Sequence, residues 1–400
     1  MTTLAFSAKI PSTNGEKLRS KNNAFHGQCA ERQRKTIRKT VMSANKTVAE
    51  QHAIIGNASG TEATFKRTEH PGAAWFFEPV QLGLFIHYGI SAVHGDLDIS
   101  WGMMENPERR RKGNGITTPR EYWALAEKFN PESYCPEEWL RAAKEAGFTY
   151  AVLTTKHHDG YCLWPTDAGD FSTKTYMQGR DLVGEYVDAC RKLGLKVGLY
   201  YSPPDWKYNK DYRSFMISSR TEKYPDRKHK DIDHNDIEGD LPVMSKEHYD
   251  GYVAYINTQI RELLTRYGQI DLIWFDGSMD DLTDVITIEE MRALQPQIVV
   301  NDRLWGFGIG DYCSKYECHL PSEKPEMPWE TCQIWHVGGG WSYVKNADKY
   351  RDLAITLNQY RVCKEWGGNL LLNIAPRADG SVPDAYYKAV REFGEAIKNM

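Results

Sequence analysis

From Trp75 onward the chain alternates short apolar runs with longer stretches in which apolar and polar residues recur at helical spacing. The short runs fall at 83–89 (GLFIHYG), 149–160 (TYAVLTTKHHDG), 196–203 (KVGLYYSP), 271–277 (DLIWFDG), 298–303 (IVVNDR), 331–335 (TCQIW) and 369–376 (NLLLNIAP). Each is rich in β-formers and reads as a buried strand with its C-terminal loop. Between them, 136–147, 180–194 and 252–268 read as amphipathic helices, each ending at a glycine suited to a helix C-terminus. Strand–helix alternation of this kind predicts βα units and a parallel sheet. Seven strands emerge, one short of the eight that close a barrel.

Polar residues gather at one end of these units. His87, the Lys156-His157-His158-Asp159 run, Tyr200-Tyr201-Ser202, Asp276, and Asn301-Asp302-Arg303 all follow their apolar runs. In a (β/α)8 barrel that end is the face where active sites form, so titratable groups converging there point to catalysis rather than packing. The stretch from Trp75 to Met400 is long enough for one such barrel with insertions. Residues 207–246 are charged and poor in apolar side chains, and are expected to form a mobile loop over the site rim.

Composition removes several function classes. Fifty Lys and Arg against 54 Asp and Glu give a formal net charge of −4, no field for nucleic acid or an anionic membrane. Mean hydropathy is −0.60 and no run approaches eighteen apolar residues, so no membrane span is predicted. Twelve Trp and 23 Tyr suit the flat faces of sugar rings, although cores use them too. The eight cysteines form no CxxC, and Cys313 and Cys318 lack a second pair at zinc spacing, so buried thiols are expected and no metal. Residues 1–70 hold twelve Lys and Arg against five Asp and Glu, and are expected to be a basic, disordered N-terminal extension to a catalytic domain over 71–400. A transit peptide or a misplaced start codon fits that composition equally, and no secretory signal is legible.

Asp276, held by an apolar run and followed by Gly277, suits a nucleophile that substrate can approach closely; the alternative is a helix N-cap. Trp274, two residues earlier, shares its face by strand alternation. His157 and His158 are adjacent, so in a continuing strand only one could face a common metal. That weakens a metal-dependent hydrolase built from His87, His157, His158 and Asp276. Imidazoles binding vicinal hydroxyls are the other reading. No GxSxG elbow, P-loop or dinucleotide fingerprint is present, and the glycines at 338–340 lack the Lys-Ser/Thr of a phosphate loop.

WFFEPVQLGLFIHYGISAVHG, YAVLTTKHHDGYCLW, RDLVGEYVDACRKLGLKVGLYYSPPDW, QIRELLTRYGQIDLIWFDG, VNDR and GGNLLLNIAPRADGSVP, in that order, resemble the successive motifs of glycoside hydrolase family 29, the α-L-fucosidases. The resemblance runs from about Trp75 to Met400. It implies an α/β fold, a somewhat irregular (β/α)8 TIM-like barrel; many members continue into a C-terminal β-sandwich after LLLNIAPRADG, and none is expected here. It also implies an exo-acting retaining α-L-fucosidase that needs no cofactor or metal and acts on a fucosylated oligosaccharide or glycoconjugate. Carried over by motif, Asp276 is the nucleophile. His87, His157, His158, Tyr201, Trp274 and Arg303 bind fucose hydroxyls, and Trp164 packs on the C5-methyl face.

The family's acid/base is a Glu after a GDF-like segment. Here GDYCSKYECHLP puts Glu317 in that role, at an offset from GDY that is not the commonest, with Glu323, Glu326 and Glu330 as substitutes. Many members carry Glu before Trp in the loop after the first strand, where this chain reads Ser100-Trp101, so one polar contact to the sugar is expected to be missing. Members are usually secreted, periplasmic or lysosomal, which the missing signal leaves open. A catalytically silent fucose-binding barrel and an α-L-galactosidase side activity are the alternatives.

Overall fold

A computed structural model describes residues 66–400 apart from 69, 78–79, 112–114, 221–223, 278–281, 283, 305–307, 339, 346–348 and 399. They fall in one compact unit, Val48–Met400. Eight parallel strands curl into a (β/α)8-type barrel: β1 (Leu82–Ile86), β2 (Tyr150–Lys156), β3 (Lys196–Tyr201), β4 (Leu272–Phe275), β5 (Val299–Val300), β6 (Cys313–Glu317), β7 (Trp329–Ile334) and β8 (Gly368–Ile374). Their order around the wall is β6-β7-β8-β1-β2-β3-β4-β5, and a single parallel bridge between Asn301 and Tyr312 joins the two ends. All seven expected strands are present. The eighth, β6, is the polar CSKYE, which no apolar pattern marks.

Every residue of β1, β2, β4 and β8 is buried, because each strand faces the barrel interior on one side and helices on the other. The helices form where their ends and faces agree. α1 (Pro136–Glu145) opens with Pro at its first position and Glu137 and Glu138 in its first turn, and buries Trp139, Leu140 and Ala143 along one stripe. α2 (Leu182–Lys192) is capped by Asp181, which accepts from the Gly184 N–H, and α3 (Lys246–Thr265) by Ser245. α4 (Ile288–Leu294), α5 (Leu353–Trp366) and α6 (Asp384–Ile397) complete the surrounding layer. The interior is aromatic, and Gly83 makes room for it: a Cβ there would lie 2.2 Å from the Tyr150 ring.

Two expectations change. The 207–246 segment is folded: Phe215, Met216 and Ile217 are buried, His229–Lys230 pairs antiparallel with Asp236–Ile237, and Arg120 pins Asp233 at 2.7 Å. The three consecutive apolar residues anchor what the surrounding charge made look loose. At the other end, residues 66–67 pair with Ile309–Gly310, and the Thr68 hydroxyl donates to Asp311 at 3.0 Å, so the tail of the basic stretch packs on the barrel. Residues 1–65 lie outside the described residues. Among the described residues, no helix is long and apolar enough to cross a membrane.

Candidate active site

At the C-terminal mouth of the barrel, side chains from β1 to β7 line one pocket, which includes His87, His157, Trp274, Asp276, Arg303 and Glu317. Asp276 follows β4 directly, and Gly277 beyond it takes φ +88°, a turn a side chain would resist. Its Oδ2 accepts from the Tyr200 hydroxyl at 2.6 Å and its Oδ1 from Arg303 at 2.9 Å. The same guanidinium donates to Glu317 Oε2 at 3.0 Å. One buried cation therefore sits between two carboxylates. Burial opposes charge on Arg303, but Glu317 and Asp276 outweigh it and raise the group above its ordinary value. Arg303 also lies 4.5 Å over the Trp274 ring, whose Nε1 donates to Glu330 at 2.8 Å.

Glu317 reaches this position through a bulge. Along β6 and β7, Cys313 pairs with Trp329 but Tyr316 with Thr331, so three steps on one strand match two on the other. The extra residue bends the strand where it approaches the pocket. Glu323 and Glu326 are exposed on the following loop and line no part of the pocket. Glu330 lies behind Trp274, fully buried, accepting from Tyr150 at 2.5 Å and Tyr312 at 3.3 Å as well. Burial pushes its carboxyl up to about 7.

The histidines converge more closely than their adjacency predicts. β2 ends at Lys156 after a register shift, so strand alternation no longer applies to His157 and His158. Their Nε2 atoms lie 3.9 and 3.6 Å from Asp276 Oδ2. His158 Nδ1 contacts the Ser202 hydroxyl at 2.5 Å, and His87 Nδ1 contacts Asn373 Oδ1 at 2.6 Å. Burial lowers all three, His87 to about 4 and the pair well below their ordinary value, so the imidazoles are neutral. His157, His158 and Asp276 offer three donor atoms within 4.8 Å of one another. Arg303 and Tyr200 already occupy both oxygens of that carboxylate, and the guanidinium opposes a second cation there. Neutral rings beside a carboxylate suit vicinal hydroxyls better.

Three sequence-predicted residues do not line the pocket, His158 among them, fully buried with its Nε2 3.6 Å from Asp276 Oδ2. Tyr201 points to the opposite face of β3 and donates to Gln259 at 2.9 Å. Tyr200, in register with Trp274, takes the place expected of it. That register is the signal that would have chosen between them. Trp164 is buried against α3, donating to Glu262 at 2.8 Å. Phe85, Trp101, Cys332 and Trp341 line the pocket without having been singled out. Trp341 stands 4.8 Å from the His87 ring, and its backbone N–H donates to Asp98 at 2.6 Å. Ser100 does not line the pocket; its hydroxyl lies behind His157.

The family model described as Alpha-L-fucosidase matches residues 48–399. A tissue alpha-L-fucosidase of Bos taurus is 27% identical over 354 residues, covering 81% of this chain and 67% of its own. The alpha-L-fucosidase of Dictyostelium discoideum is 24% identical over 347 residues, covering 81% and 69%. Among solved structures, alpha-L-fucosidase isoenzyme 1 from Paenibacillus thiaminolyticus superposes with a TM-score of 0.65 at 32% identity, covering 82% of this chain and 75% of that one.

Proposed function

The chain belongs to the α-L-fucosidase family, and from that premise we propose that it is an exo-acting, retaining α-L-fucosidase that removes terminal fucose from glycans through a covalent fucosyl-enzyme. The observation that carries this reading is the placement of Asp276 and Glu317 on either side of Arg303. Double displacement needs two carboxyl groups about 5–5.5 Å apart, one ionised and one protonated. With the proton on Glu317, the site is charge-balanced: ionised Asp276 faces the Arg303 cation and the Tyr200 hydroxyl.

In the first step an Asp276 oxygen attacks the anomeric carbon while Glu317 gives its proton to the departing glycosidic oxygen. The bond to the leaving group breaks as the ester forms, with inversion. In the second step Glu317 takes a proton from water, which attacks the same carbon, and Asp276 leaves with a second inversion. Neutral His87 and His157 orient the sugar hydroxyls, and Trp274 and Trp341 give its ring apolar walls. A narrow pocket closed on its deep side by Glu330 and Trp274 suits a terminal residue rather than an internal one.

Hydrolysis of an aryl α-L-fucoside by the purified protein, beside the matching α-L-galactoside, tests the reading. Fucoside turnover that is lost with Asp276→Gly supports it. An inert parent that still binds fucose makes the chain a silent fucose binder.

A further inference from the structure

Behind the pocket, Ser100 Oγ bonds His157 Nδ1 at 2.6 Å, the Asp159 backbone N–H at 2.9 Å and Asp159 Oδ2 at 3.2 Å, and the Tyr122 hydroxyl, whose own hydrogen goes to Asp159, lies beside it. All of them are buried. The residue before it, Ile99, is buried and takes φ +36°, where a β-branched side chain is strained. Its N–H is held by the Ser342 hydroxyl at 2.7 Å, and that turn aims Ser100 inward.

A hydroxyl has one hydrogen and two lone pairs, and its neighbours' needs order them. The Asp159 N–H can only donate, and fills one lone pair. Asp159 Oδ2 already accepts from the Tyr122 hydroxyl at 2.9 Å, and Oδ1 accepts from the Tyr161 N–H at 2.8 Å. An ionised carboxylate can only accept, so Ser100 gives its hydrogen to Oδ2. The remaining lone pair faces His157, whose Nδ1 must then carry the hydrogen. Burial pushes Asp159 up to about 6, so at pH 7.5 it is the ionised form that imposes this order. The reverse arrangement, with Ser100 donating to His157, would set a serine lone pair against a carboxylate oxygen.

We propose that Ser100 and Asp159 are positioning residues that lock His157 in the Nδ1–H tautomer, so that its bare Nε2 accepts a hydrogen bond from a substrate hydroxyl. The substrate half of this statement rests on the fucosidase reading; the tautomer half does not. His157 is stacked on Tyr200, the rings 5.5 Å apart and 3° from parallel, so the lock fixes an acceptor at a set point 3.9 Å from Asp276 Oδ2. A sugar hydroxyl that donates to Nε2 is thereby oriented with its own lone pairs turned away from the ring. Ser100, read in the sequence as a lost sugar contact, acts through His157 instead.

Imidazole 15N–1H correlation spectra of the 15N-histidine-labelled protein at pH 7.5 test the lock, with the His157 signals assigned by their disappearance in His157→Gln. The parent should show protonated Nδ1 and unprotonated Nε2. Ser100→Ala should move the hydrogen to Nε2 and raise the KM for an aryl α-L-fucoside about tenfold with a smaller change in kcat. Ser100→Thr, which keeps the hydroxyl, should restore both. A parent with protonated Nε2, or a Ser100→Ala protein with the parent's tautomer, would overturn the lock. The Nδ1–H tautomer in a parent that binds no fucoside would overturn the substrate half alone.

Discussion

The two carboxylates of the pocket stand on walls built to different standards. On the Asp276 side, β3 and β4 pair over four consecutive residues without a register shift, from Gly198–Leu272 to Tyr201–Phe275. On the Glu317 side, β5 is two residues long, β6 is bulged, and the strands meet through one bridge. Side chains do there what the ladder does elsewhere. Asp311, buried at the seam, accepts from the Val300 N–H at 2.8 Å, from Arg292 at 2.5 Å and from Thr68 at 3.0 Å. A nucleophile needs a fixed line of attack, which a regular strand end supplies. An acid/base that serves two steps tolerates a support made of a bulge and a side-chain knot.

The contrast can be broken at its largest point by removing each carboxyl in turn. Asp276→Gly should cost about 10⁴-fold or more in kcat, since no water occupies the same trajectory as well. Glu317→Ala should cost less, about 10²–10⁴-fold, and least for aryl fucosides whose leaving groups need no proton. Equal losses with good and poor leaving groups would remove Glu317 from the acid role.

Glu330 supports both walls from below through Trp274 and Tyr312, and its effect should appear in stability. Burial raises it from an ordinary 4.5 to about 7, so the folded protein keeps a proton that the unfolded chain releases between those values. Its stabilising effect is complete below about pH 4.5 and is lost as pH climbs through 7, by roughly 3 kcal/mol in all. Melting temperatures from pH 5 to 8 should show that decline in the parent and a flatter profile in Glu330→Gln.

The seam itself is sharpened by Asp311→Ala, which leaves the Val300 N–H without its acceptor and Arg292 with Thr68 alone. If the knot holds β6 in place, kcat should fall about ten- to a hundredfold although Asp311 touches no substrate, with the fall seen in proton-dependent substrates first. The smallest test separates the two faces of β3. Tyr200→Phe removes a donor to Asp276 and should lower kcat/KM about tenfold, whereas Tyr201→Phe should leave it within about threefold. A larger effect at Tyr201 would reverse the assignment made from register.

The same asymmetry decided what the sequence disclosed. Asp276, Trp274 and the seven apolar strands were legible because burial on both faces writes itself as a continuous apolar run. β6 was not, because CSKYE has no such run, and its register against β7 is broken by a bulge that no sequence pattern marks. Tyr200 and Tyr201 are chemically identical neighbours, and only pairing with β4 tells them apart. Trp164 lies elsewhere than its place beside the KHHDG motif suggested: it donates to Glu262 on α3 and does not line the pocket. His157 and His158 could not be placed by alternation because the strand ends one residue before them.

Azide rescue with analysis of product configuration is the most direct test of the paired roles assigned to Asp276 and Glu317. With Glu317→Ala and an activated aryl α-L-fucoside, azide should accelerate turnover and give α-fucosyl azide, because it attacks an ester already inverted at Asp276. With Asp276→Gly, azide should take the nucleophile's own place and give the β-azide. The same azide configuration from both variants, or no rescue of either, would contradict the division of labour between the two walls.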